Sequence, residues 1–285
     1  MTIPRIQANG LSFAYLSWGP ADGPLALLLH GFPDSAHTWR HLAPELAADG
    51  WRVVAPWLRG YAPTEVPPGR IWHLPELAAD VNALHEALAG GEDAVLVGHD
   101  WGAILGYRAL AAEPARWRRM VGLAVPPEPV AIFLAATGYV RRSRYILSMQ
   151  LPGASRLFTR RGGRFVRRLW RDWSPGYEAT NEDLDPVLAA TSTEDGARAM
   201  LAYYRGLFRA IVLGTAYRPR APMPTHPILY LHGAEDGCVG PMDRDRLVRR
   251  LPEGSEAEQL AGVGHFLHLE DPTAVNGRIR AFVAS

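Results

Sequence analysis

"LVGHDWGA", Leu96 to Ala103, decides how this chain is read. An apolar run, Ala94 to Val97, meets Gly98-His99-Asp100-Trp101-Gly102 and then a helix-forming stretch from Ala103 to Ala112. Strand, sharp turn and helix in that order are the layout of a nucleophile elbow. Small residues two positions either side of the central one leave room for its strained backbone. The central residue is Asp100, where the pattern usually carries a serine. That exchange has a chemical meaning. A serine that attacks a saturated carbon forms an ether, which water does not readily cleave, whereas a carboxylate forms an ester whose own carbonyl can be hydrolysed.

Outward from the elbow, short apolar runs alternate with longer amphipathic ones, as a parallel sheet with crossover helices requires. Strands are expected at Leu25–Gly31, Trp51–Pro56, Asp93–Gly98, Arg119–Val125 and Pro227–Gly233. The opening "IQANGLSFAYLSWG" alternates about Asn9-Gly10 and predicts an antiparallel hairpin at the sheet edge. Between Arg119–Val125 and Pro227–Gly233 the rhythm breaks. Residues from about Pro126 to Ala221 hold no continuous apolar strand but are rich in Arg, Trp, Tyr and Phe at helical spacing, so they read as a helical insertion.

Composition bounds the chemistry. The 285 residues carry 30 basic and 29 acidic side chains, a net charge of +1, so no global field draws nucleic acid or an anionic membrane. A small-molecule partner is expected. Every basic side chain besides histidine is an arginine, which excludes Schiff-base chemistry and a phosphate-loop lysine. The single cysteine, Cys238, forms no internal disulfide, and no Cys/His spacing suggests a zinc site. "MTIPRIQANG" lacks the apolar core of a signal peptide, and no apolar run approaches the ~20 residues of a membrane span. A cytoplasmic protein, monomer or homodimer, is the default expectation.

An Asp at the elbow needs partners. Trp101, next to the nucleophile, offers one backbone N–H, and "HGFP" (His30 to Pro33) after an earlier strand offers another from Phe32, together an oxyanion hole. A triad needs a His and an acid on later loops. "GVGHFLHLEDP" supplies His265, and "LYLHGAEDGCV" supplies Asp236 just past a strand.

Together "HGFPDSAHTWR", "RGYAPT", "GHDWGA", "HGAED" and "GHFLHLEDP" resemble, in order, the α/β-hydrolase fold, in its branch with an Asp nucleophile, the epoxide hydrolases and haloalkane dehalogenases. The likeness spans nearly the whole chain and is greatest to epoxide hydrolases. It implies a mostly parallel central sheet flanked by helices, with a helical cap inserted after the sixth strand. The core would comprise residues 1–125 and 222–285, and the cap residues 126–221.

Within the insertion, "YILSMQLPG" resembles the stretch carrying one cap tyrosine, here Tyr145, and "AYYRGLFR" the stretch carrying the second, here Tyr204, with Tyr203 an alternative. The resemblance implies an apolar epoxide bound beside Phe32 and Trp101. Asp100 would open the ring while the tyrosines donate to the departing alkoxide. His265, oriented by Asp236, would then activate water against the ester. No cofactor or metal is called for.

Glu128 in "VPPEPV" competes with Asp236 as the acid, because some haloalkane dehalogenases place it after the earlier strand, and Glu235 competes as its immediate neighbour. Haloalkane dehalogenation is the alternative activity. It needs N–H donors for halide, from Trp101 and a cap residue such as Trp170 or Trp173. Fluoroacetate-type dehalogenation would call for an arginine where Trp101 stands. A ligand-binding protein on the same fold, without turnover, is the non-enzymatic alternative. His268 and Cys238 read as structural, and the arginines of "RRGGRFVRRLWRDW" (Arg160 to Trp173) as the solvated face of a cap helix rather than a nucleic-acid site.

Overall fold

The computed structural model describes residues 3–66, 72–127, 144–213 and 224–285. Eight strands form one sheet: β1 (Arg5–Ala8), β2 (Leu11–Trp18), β3 (Leu25–Leu29), β4 (Arg52–Pro56), β5 (Val95–His99), β6 (Arg119–Leu123), β7 (Ile228–Gly233) and β8 (Glu256–Leu260). Their order across the sheet is β1-β2-β4-β3-β5-β6-β7-β8. The expected hairpin is present, β1 against β2, turning at Asn9 and Gly10, both with positive φ. β2 runs antiparallel to β4, and every later pairing is parallel. All five expected parallel strands form. β3, β5 and β7 are buried along their whole length, which is why they read as unbroken apolar runs. β8, "EAEQL", was not anticipated. It lies at the sheet edge with Glu256 and Gln259 exposed, so it has no apolar run to betray it.

The helices are α1 (Leu42–Ala48), α2 (Leu74–Ala87), α3 (Trp101–Ala112), α4 (Arg144–Gln150), α5 (Ser155–Thr159), α6 (Arg164–Trp173), α7 (Asn181–Thr191), α8 (Glu194–Val212), α9 (Arg244–Val248), α10 (Leu267–Glu270) and α11 (Pro272–Ala284). Two helix pairs, α2 with α3 and α1 with α11, cover the sheet. Between β6 and β7 the described residues form helices α4 to α8 and short turns, with no strand. Glu128 lies outside the described residues. No helix among the described residues is long and apolar enough to cross a membrane.

The strand order places the chemistry. From β3 the chain moves to β4 on one side, then returns to β5 on the other side of β3. Connections that leave neighbouring parallel strands in opposite directions open a crevice at their carboxyl ends. Gly98 of β5 pairs with Leu29 of β3 and with Gly122 of β6, so Asp100 emerges at that crevice.

Candidate active site

Asp100 stands between β5 and α3 with φ 51° and ψ −115°, a conformation that side-chain-bearing residues rarely adopt. Its flanking glycines are required by contact. A Cβ on Gly98 would lie 2.5 Å from the backbone of Gly102, and one on Gly102 would lie 2.1 Å from the Leu29 carbonyl oxygen. The turn lifts the carboxylate to where its two oxygens meet different partners. Oδ1 accepts the backbone N–H of Phe32 at 2.8 Å. Oδ2 lies 3.7 Å from Nε2 of His265.

His265 follows β8 and is fully buried. Its Nδ1–H donates to Oδ2 of Asp236 at 2.9 Å, which leaves Nε2 facing Asp100. The other oxygen of Asp236 accepts the N–H groups of Cys238 and Val239, each at 2.7 Å. Asp236 thus has a fixed orientation after β7, while its neighbour Glu235 is exposed. Burial opposes a charge on His265, but Asp236 and Asp100 together outweigh it and hold the imidazole pKa up at about 10. Burial likewise opposes the charge on Asp236, and His265 with the loop amides keeps its carboxyl below the ordinary range. From behind, His99 Nε2–H donates to the His265 carbonyl at 3.0 Å.

Aromatic side chains wall the approach to Asp100. Tyr204 lies edge-on to Phe32 at 4.9 Å and to Trp101 at 5.3 Å, and its ring is 5.9 Å from that of Tyr145. Tyr145 Oη lies 3.7 Å from Cys238 Sγ, so Cys238 sits beside the candidate site rather than apart from it. Tyr203 is engaged elsewhere, its hydroxyl donating to the Arg59 carbonyl at 2.9 Å. Neighbouring residues on a helix point about 100° apart, which is why sequence left the choice between 203 and 204 open. Trp173 packs on His265 at 5.0 Å and on Tyr145 at 5.2 Å. The Trp170 indole N–H donates to the Pro33 carbonyl at 2.9 Å. His268 is buried against Thr38.

Among the described residues, two groups bring three possible metal donors within 4.8 Å of one another, Asp236 with Cys238 and His265, and Asp34 with His99 and His268. In both, donors are already engaged in the hydrogen bonds of Asp236 to His265 and of His268 to Thr38. Sequence reasoning missed the backbone of Trp173. Its carbonyl accepts the N–H of both Gly237 and His265, at 3.0 and 3.1 Å, joining the loop that carries Asp236 to the one that carries His265. A main-chain acceptor leaves no side-chain signature.

Residues 24–272 match the family model described as the alpha/beta hydrolase fold. An epoxide hydrolase of Caballeronia sordidicola is 38% identical over 98% of this chain and 92% of its own length. Mouse epoxide hydrolase 4 is 28% identical over 98% of this chain and 78% of its length. Among solved structures, a variant of a Bacillus megaterium epoxide hydrolase complexed with its product, a naphthyloxy-propanediol, superimposes with a TM-score of 0.85. It is 27% identical and covers 99% of this chain and 100% of its own.

Proposed function

This chain belongs to the alpha/beta hydrolase fold family and is an enzyme most like its epoxide hydrolases, and we propose that it hydrolyses an apolar epoxide to a vicinal diol through a covalent ester on Asp100. The helical insertion, taken as residues 126–221, acts as the cap over the crevice. One observation carries the reading: Asp100 has one oxygen on the Phe32 N–H and the other toward His265 Nε2. That division suits an ester whose carbonyl oxygen stays on the amide while the second oxygen attacks.

In the first step Oδ2 displaces the epoxide oxygen from one ring carbon, and the electron pair of the broken C–O bond goes to that oxygen. Tyr145 or Tyr204 supplies its proton. Esterification cancels the charge on Asp100, one of the two carboxylates that hold a proton on His265. The imidazole pKa falls, the proton of His265 passes to the tyrosinate left by ring opening, and Nε2 becomes a base. It then takes a proton from water as the water oxygen attacks the ester carbonyl carbon. The Phe32 amide, with the N–H of Trp101, steadies the oxyanion. Collapse breaks the acyl–oxygen bond, the imidazolium protonates the departing alkoxide to give the diol, and the carboxylic acid left on Asp100 returns its proton to His265, restoring the starting ion pair. Asp236 orients the ring throughout and steadies the imidazolium each time it forms.

A halide leaving group needs N–H donors instead of a proton. The N–H of Trp170 already serves Pro33, which favours the epoxide reading over dehalogenation. The test is a panel of aryl, alkyl and terminal epoxides beside haloalkanes, scored for diol and for halide, followed by a single turnover in ¹⁸O water. Diol release is expected, with the label entering the Asp100 carboxylate first and an unlabelled oxygen in the diol. Label in the diol at the first turnover would reduce Asp100 to a general base, and halide release without diol would replace the activity altogether.

A further inference from the structure

The segment that carries the catalytic histidine has three successive amides, and each meets a different acceptor. Gly264 N–H donates to Oε2 of Glu270 at 2.8 Å, His265 N–H to the Trp173 carbonyl at 3.1 Å, and Phe266 N–H to Ser174 Oγ at 3.1 Å. The Ser174 hydroxyl, having accepted Phe266, donates its own hydrogen to Oε1 of Glu270 at 2.6 Å. One carboxylate therefore ties the residue before His265 to the end of α6, and through Ser174 to the residue after it. The fit is close. A Cβ on Gly264 would lie 2.7 Å from Ser174 Cα.

In the observed arrangement Gly264 N–H and Ser174 O–H both donate to Glu270, so its side chain accepts at both ends. An amide in its place would force the Ser174 hydroxyl to turn and accept a second time beside Phe266. Burial pushes the Glu270 carboxyl above its ordinary value, while its bonds to Ser174 and Gly264 pull the other way. Among the described residues, the hydrogen bonds of the Glu270 side chain go to Ser174 and Gly264, not to Asp100 or the cap tyrosines.

We propose that Glu270, acting through Ser174 and the Gly264 amide, is a positioning residue that aims Nε2 of His265 at the ester on Asp100. The proposal rests on the covalent reading above. It follows that Glu270 matters for the second half of the reaction and little for the first, since ring opening uses Asp100 and the tyrosines.

The experiment is a quenched single turnover with a reactive aryl epoxide, followed by intact-protein mass spectrometry of wild type, Glu270→Gln, Ser174→Ala, the double variant and His265→Gln. Melting temperature is recorded for each. Glu270→Gln is expected to gain its covalent adduct at close to the wild-type rate and to lose it about tenfold or more slowly, as a displaced base would. Ser174→Ala should show the same split and carries the test if Glu270→Gln does not fold. The double variant should be little worse than either single one, because both cut the same circuit. Formation and loss slowed in equal proportion, unchanged loss of the adduct, or additive effects would each overturn the proposal. His265→Gln separates the two readings. An adduct that persists there while Glu270→Gln behaves as wild type sinks the positioning role alone, and no adduct there sinks the covalent mechanism with it.

Discussion

Tyr145 and Tyr204 come from different helices, α4 and α8, yet their rings lie 5.9 Å apart above the crevice. In the proposed mechanism both hydroxyls serve one alkoxide, so loss of one leaves the other. Tyr145→Phe or Tyr204→Phe should slow epoxide opening by about tenfold or more, and the double change much further, in stopped-flow measurement of adduct formation. Near wild-type opening in the double variant would remove both from the mechanism. Tyr203→Phe is the contrast, since its hydroxyl is committed to Arg59. At this scale the sequence was legible where geometry admits few residue types. Only small residues fit at 98 and 102, so the elbow announces itself. Glu270 was not legible, because its role depends on which atoms fold back onto Gly264 and Ser174.

Helix α6 shows what an amphipathic element does at a site. Val166, Leu169, Trp170 and Trp173 are buried, while Arg164, Arg167, Arg168 and Arg171 are exposed, so the arginine run is the solvated face its spacing implied. The buried face locks onto the loop after β3. Trp170 stacks on Phe266 at 3.8 Å and gives its N–H to Pro33. Trp170→Phe keeps a ring but strands a buried carbonyl, and should lower stability by ~1–3 kcal/mol in urea denaturation while the folded protein still releases diol. Loss of turnover at full stability would show that Trp170 serves the reaction directly. Elements buried on both faces were readable from sequence, "LALLL" of β3 most plainly. "EAEQL" of β8 was not, since an edge strand with charges toward water has the composition of a loop.

For the whole molecule, the buried imidazolium makes folding depend on pH. The folded pKa of His265, about 10, lies above its ordinary 6.5, so its contribution to stability is complete below about pH 6.5 and is lost as pH rises through about 10. The depressed carboxyl of Asp236 works in the opposite sense, its contribution fading as pH falls into the acid range. Urea midpoints should therefore decline from pH 6.5 to 10 in the wild type and decline less in Asp236→Asn, whose His265 lacks its main partner. Parallel slopes would mean that the pair contributes nothing to the alkaline limb. The backbone at Asp100 bears on the same balance. Its φ of 51° suits glycine, and the proposed chemistry of a carboxylate accounts for an aspartate there. Relief of such strain is worth about 1–3 kcal/mol, set against about 0.5–1 kcal/mol for the freedom glycine has when unfolded. Asp100→Gly should then be more stable in urea denaturation than Asp100→Ala by more than the ~1 kcal/mol that glycine already holds over alanine at an N-cap, and a gap no larger than that would show the turn to be relaxed. A search for heat resistance alone would drift toward glycine at this position and lose the proposed nucleophile, so under that mechanism durability and turnover pull this protein in opposite directions at one residue.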